Sequence, residues 1–363
     1  MHKIKHYLGY DYLTWYLGKV ILSMIVLTLV LVLGIEWIFD LVNELKQVGV
    51  GDYSLPQALF FLLLNSPAKL YDFFPLCALI GTIMGLGVLA GHGELTAMRA
   101  AGHSIGNIAF KIMKSAFVIT LLVTLLGEYY IPSWQNTAQK QKAYALSKGQ
   151  ALQTEKGAWL RDGKDFVHID KIEKNKLTGV TRYQFDDKMQ LHTTVFAKEA
   201  DFQQNHWVLK DIQETQINDE QITKKNIDTQ DWHSHIQPTV IQIVGNKGAD
   251  KLSFQELSQT IAYRQSSGLA VSQFKLIWWQ KLTQPLASML MIFLAIPFVF
   301  GPLRSSSLGV KMVVGISLGF VFFSFNKALG PIAIVYNWPA WLAVFTPSVL
   351  FSLLAAWVMK KVW

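Results

Sequence analysis

The sequence has little cysteine and little charge, and its last quarter has no acid at all. One cysteine, Cys77, stands among 363 residues, which excludes a disulfide framework and a multi-cysteine zinc site. No aspartate or glutamate follows Ser267, so Lys275, Lys281 and Lys327 lack an acidic neighbour in sequence. The GxxxxGK[ST] and HExxH patterns are missing too, which removes a P-loop and a zincin helix. No catalytic residue or metal site is therefore assigned, and no basic cluster suggests nucleic acid. Charged residues make up only 16% of the chain against 51% apolar, a balance unlike that of a soluble domain.

What is present is membrane-spanning sequence. Six apolar stretches, at 16–39, 60–90, 105–131, 270–300, 308–328 and 338–358, are each long enough to cross about 30 Å of hydrocarbon. The first continues into Gly-Ile-Glu-Trp without a cleavage site, so it reads as a span rather than a signal peptide. Cys77 falls in the second, as a small packing residue. Lys3, Lys5 and Lys19, then Arg99, Lys111 and Lys114, then Arg304 and Lys311, and finally Lys360 and Lys361 flank alternate ends of these spans. By the positive-inside rule those ends are cytoplasmic, both termini included. The segment between spans 3 and 4 is then periplasmic or otherwise outside.

That segment, 132–267, is soluble in composition and near neutral, with 18 basic and 17 acidic residues. A polar helix is expected over 135–150. From Ala158 the pattern shifts to a period of two, with Asp162-Gly163 as a hairpin turn. Short strands at such intervals suggest an antiparallel sandwich or jelly roll. Alternation places Phe166 and Phe185 among the inward positions of those strands. Ser253-Phe-Gln-Glu256 is a capping box that starts a returning helix. His233-Ser-His235 is expected to be a solvated loop, and His92 and His103 to be surface groups. Glu128, near the outer end of span 3, is a candidate by its position in the membrane.

Between spans 2 and 3 lies AGHGELTAMRAAGHS, residues 90–104. It is too charged for lipid, too short for a domain and rich in helix formers. Gly91 and Gly93 free its start, Glu94 suits the positive end of the helix dipole, and Gly102 can close it. A rigid helix joining two spans is a handle for a motor that the chain itself lacks.

The run PLCALIGTIMGLGVLAGHGELTAMRAAG resembles the span 2 and coupling-helix signature of the LptF/LptG (YjgP/YjgQ) permeases of lipopolysaccharide export. WLRDGKDFVHID resembles the outer-domain hairpin of that family, and GPLRSSSLGVKMVVGISLGFVFF with GPIAIVY resembles its G-type subunit. The resemblance covers nearly the whole chain. It implies a helical bundle of six transmembrane helices with an inserted periplasmic β-jelly-roll-like domain. The divisions are 1–131 with a coupling helix at 91–102, then 132–267, then 268–363.

The resemblance also implies an inner-membrane ABC exporter of type VI: a G-type and an F-type permease (LptF) on a dimer of the ATPase LptB, with the single-span LptC. The chain would bind no cofactor itself, ATP and magnesium being held by LptB. The family's ATPase contact carries over to Glu94, with Leu95, Met98 and Arg99 grouped beside it. Its lipopolysaccharide-binding lysines map onto Lys46 and Lys142, with Lys69 displaced by one position and Lys327 as a further source of charge. The chain departs from the family at Gln47, where a second lysine is expected, and in the acidic surroundings of Glu36 and Asp40.

Two other classes fit less well. Lipoprotein-releasing and mechanotransmitting ABC permeases have four spans and carry their outer domain after the first. A membrane-bound transferase would need an acid/base pair from Glu36, Asp40, Glu44 and Asp72.

Overall fold

The computed structural model describes residues 12–146, 158–173, 176–186, 190–203, 206–217, 222–232, 234, 236, 238, 249–301 and 306–362. Lys3, Lys5, Arg304, His233 and His235 lie outside the described residues. Two compact units are present: Met1–Val48 with Ser54–Ala138 and Trp279–Trp363, and Gly49–Tyr53 with Gln139–Trp278.

The first unit is helical. Its elements are α1 (Tyr12–Leu45), α2 (Leu55–Gly91), the short α3 (Glu94–Ala100) and α4 (Ile105–Tyr129). After α5 (Ile131–Leu146) and the second unit come α7 (Ser272–Phe300), α8 (Leu308–Val335) and α9 (Ala340–Val362). Among the described residues, six helical segments are long and apolar enough to cross a membrane, α4 counting together with α5. All six coincide with the stretches expected from sequence. Proline lies inside α2, α7, α8 and α9, which membrane helices tolerate because their neighbours support the backbone.

Packing between α1 and α2 is close because two glycines permit it. A Cβ on Gly81 would lie 2.5 Å from the Ile25 Cα, and one on Gly85 3.3 Å from that of Ile21. Without large interface side chains the two backbones approach and maximise dispersion contact. Leu17, Ile21 and Ile25 of α1 join Leu79, Ile83 and Leu86 of α2, Ile108 of α4 and Met291 of α7 in one buried core. Cys77 is buried in α2, as expected.

The second unit is built on a six-stranded antiparallel sheet: β1 (Ala158–Asp162), β2 (Asp165–Glu173), β3 (Lys176–Phe185), β4 (Leu191–Gln203), β5 (His206–Ile217) and β6 (Ile222–Trp232). The expected hairpin joins β1 to β2 with its turn one residue later than Asp162-Gly163: Asp162 stands opposite Asp165, so Gly163, at φ +65, and Lys164 form the turn. The strand order refines the jelly-roll expectation. Each strand pairs with its neighbour in sequence as a meander, with no Greek-key crossing among the described strands.

The ladder skips one residue in each strand from β2 to β6: Asp170, Gly179, Lys198, Asp211 and Asp228. Gly179 and Asp211 both take positive φ there. Core residues therefore sit three apart across this row, as Ile169 and Ile172, Leu177 and Val180, Ala197 and Ala200, and Leu209 and Ile212 do. The row is a crease across five strands. Returning helix α6 (Phe254–Ser266) begins with the expected box, Ser253 accepting from the Glu256 amide and Glu256 from that of Ser253. Its Tyr263 enters the sheet's core and donates to the Arg161 carbonyl at 2.8 Å.

Candidate functional site: coupling helix, polar layer and inner sheet face

Helix α3 begins after Gly93, which takes φ +75, and is followed by Gly102 at φ +91. Both glycines fit the handle expected there. The faces of this helix are unlike. Leu95 is buried, only 5% exposed, in the bundle core and Met98 packs against it, while Thr96, Ala97, Arg99 and Ala100 are exposed. Glu94 turns one oxygen to the Tyr16 hydroxyl of α1, which donates at 2.7 Å, and its other oxygen stands 3.8 Å from His92 Nδ1. Of the four residues grouped at this site, three hold the helix to the bundle and Arg99 faces away.

A second polar set lies on α2 about 33 Å along the helix from its α3 end, roughly the thickness of the hydrocarbon. Lys69 donates to Glu36 at 2.7 Å and pairs with Asp40 at 2.6 Å. Nearby on the same two helices, Trp37 Nε1 donates to Ser66 at 2.7 Å. Lys281 of α7 stands 3.7 Å from Glu128 of α4, and Lys327 of α8 stands 3.9 Å from Asp72 of α2.

These pairs correct three expectations. Lys69, expected as a lipid contact, is paired with two carboxylates on α1. Lys281 and Lys327 do have acidic partners, supplied by other spans. Glu128 is an ion-pair partner of Lys281. The pairs differ in weight: Lys69 and its two partners are all under a third exposed, while Lys327 and Asp72 are 61% and 58% exposed. An exposed pair at such a distance contributes little, so Lys327 stays available. Lys46 is exposed and donates to Asn43 at 3.2 Å. In the second unit Lys142 lies over the Tyr53 ring, 5.7 Å from its centroid.

The sheet also corrects the inward assignment of Phe166 and Phe185. Val167 and Ile169 are buried in the sheet's core with Val180, Val195 and Leu209. Phe166 pairs across the ladder with Tyr183 and forms an edge-to-face contact with Phe185 on the opposite face, where Trp159 stacks on Tyr183. The sheet's period is two only on either side of the crease, so alternation read straight through it reverses.

One polar group on the core face was not expected. Arg182 sits opposite Val167 and Val195, donates to Asp165 at 3.3 Å and lies over the Trp232 ring at 5.0 Å. Burial lowers its pKa and the carboxylates Asp165 and Asp162 oppose that shift. Trp232 in turn donates to Asp162 at 3.1 Å.

The described residues thus place a short helix between two apolar helices and a sheet domain after the third. A family model described as lipopolysaccharide export system permease LptF/LptG matches residues 15–361. The chain belongs to the LptF/LptG family. It is 34% identical over 350 residues to the lipopolysaccharide export system permease protein LptG of Escherichia coli strain K12, covering 95% of this chain and 97% of that protein. It is 33% identical over 349 residues to the LptG of Haemophilus influenzae, with the same two shares covered.

Proposed function

We propose that this lipopolysaccharide export permease is the G-type subunit of an ABC exporter of type VI. It sits in the inner membrane with an F-type partner, LptF, on a dimer of the ATPase LptB and beside the single-span LptC. Both termini and α3 face the cytoplasm, and the sheet domain faces the periplasm. Lys19, Arg99, Lys111, Lys114, Lys360 and Lys361 support this orientation, since they lie at the α3 end of their spans. Nucleotide and magnesium belong to LptB, and this chain needs no cofactor of its own.

The observation that carries the reading is the two-faced α3, anchored inward by Leu95 and Met98 and offering Arg99 outward. Drawing acyl chains out of lipid costs about 0.8 kcal/mol per methylene exposed to water, so export needs both a motor and a sheltered path. A pull-down of LptB from detergent tests the motor contact. Arg99→Glu is expected to lower its recovery several-fold while leaving the permease inserted. Undiminished recovery would count against a grip on α3.

Lys46, Lys142 and Lys327 are the proposed contacts for phosphates or acidic sugars, each able to add a charge-assisted hydrogen bond. Lys69 contributes by fixing α1 to α2 rather than by touching the lipid. For the acyl chains the proposed path is the apolar core face of the sheet. Photo-crosslinkers replacing Ile169 or Leu209 should capture lipopolysaccharide when ATP is supplied, and those at Phe166 or Phe185 should not. Labelling of equal yield from both faces would rule out an inner conduit.

A further inference from the structure

Helix α3 hangs between two spans, yet its one direct side-chain hydrogen bond among the described residues reaches a third element. Glu94 accepts from Tyr16 of α1 at 2.7 Å, across 78 residues of sequence. We infer that this bond is the joint through which a pull on α3 moves α1. The inference rests on the proposal that an ATPase grips α3.

Three observations carry it. First, Tyr16 and Glu94 are each partly buried, so the bond is partly screened from competing water, and one of its partners is a carboxylate. Hydrogen bonds of that kind are the stronger ones. Second, α1 cannot slide freely past α2 beyond the joint. The Gly81 and Gly85 contacts bring the backbone of α2 against Ile25 and Ile21, and interfaces packed so tightly move as units rather than deform. Third, the far end of the same pair is tied again, by Lys69 with Glu36 and Asp40.

Helices α1, α2 and α3 thus form one lever, fixed at both ends and in the middle. Leu95 and Met98 fix α3 only through apolar contact, which is non-directional. Tyr16 supplies the directional constraint that sets the angle of α3 against α1. It is a positioning residue: it acts through Glu94.

Tyr16→Phe removes a single hydroxyl and leaves the second oxygen of Glu94 and the outward Arg99 in place. The test is the assembled complex in vesicles, reading ATPase recovery, ATP turnover and lipopolysaccharide release. Recovery is expected to be unchanged, while release per ATP hydrolysed falls roughly tenfold or more. Unchanged release per ATP overturns the joint. A fall in ATPase recovery overturns it too, since Tyr16 would then be acting through the partner contact.

If the unaltered permease recovers no ATPase, the grip on α3 fails by itself, and the joint is read directly. Spin labels at Lys19→Cys and Thr96→Cys in a Cys77→Ala background should give one narrow distance, broadened by Tyr16→Phe. A distribution of the same width with and without the hydroxyl overturns the inference.

Discussion

Gly81→Leu should cost the protein the pairing of its first two membrane helices. The new Cβ would stand 2.5 Å from the Cα and 2.6 Å from the amide nitrogen of Ile25, and backbone atoms cannot rotate aside as a side chain can. Helix α1 must retreat, which opens the contacts of Leu17, Ile21 and Ile25 with the core. Overpacking of a core typically costs about 1–3 kcal/mol where neighbours can shift, and here the neighbour is main chain. Recovery of monodisperse protein from detergent is expected to fall roughly tenfold or more. Gly34→Leu on α1 is the control, because nothing lies within 4 Å of its Cβ direction. Equal recovery of the two variants would mean that α1 and α2 do not depend on that contact.

Arg182→Ala is expected to weaken the sheet by about 3–5 kcal/mol, as removal of one member of a buried ion pair does. The Arg182 and Asp165 side chains are 13% and 21% exposed, so the carboxylate left behind has little water to turn to. The loss also removes the cation from the face of Trp232. Amide exchange of β2 and β3 in the full chain should accelerate by roughly a hundredfold or more. Arg182→Met, which refills the space but not the charge, should be nearly as damaging. Exchange at the native rate in both variants would show that Asp165 is satisfied without its partner.

The physics of single elements was legible in the sequence. Span length, the capping box at Ser253, the β1–β2 hairpin and the glycines around α3 each depend on a few adjacent residues, and each stands where expected, the hairpin turn falling one residue later at Gly163 and Lys164. Pairing between spans was not legible. The acids that stand beside Lys281 and Lys327 lie on α4 and α2, and no local pattern announces a neighbour more than a hundred residues away. Phe166 failed for another reason. Alternation reports a face only while the ladder is regular, and the crease at Asp170 and Gly179 shifts the count by one. The hint was Gly179 inside a β-branched run, a mark of irregular strand geometry. Glu94 was legible as the first residue of a short helix but its partner Tyr16 was not, because one tyrosine at the start of an apolar span resembles an ordinary interfacial anchor.

The separation of the lysine–carboxylate layer from α3 has a consequence for where the protein can live. About 33 Å of α2 lies between Lys69 and Gly91, against a hydrocarbon slab of about 30 Å. With the lysine–carboxylate layer at one edge of the hydrocarbon and the α3 turn at the other, the protein would carry its own gauge of bilayer thickness. A slab several ångströms thicker would draw Glu36, Asp40 and Lys69 into acyl chains, and a thinner one would be met by tilting. Changing lipid tail length should accordingly alter the tilt of α2 in thin bilayers and depress the stability of the fold in thick ones.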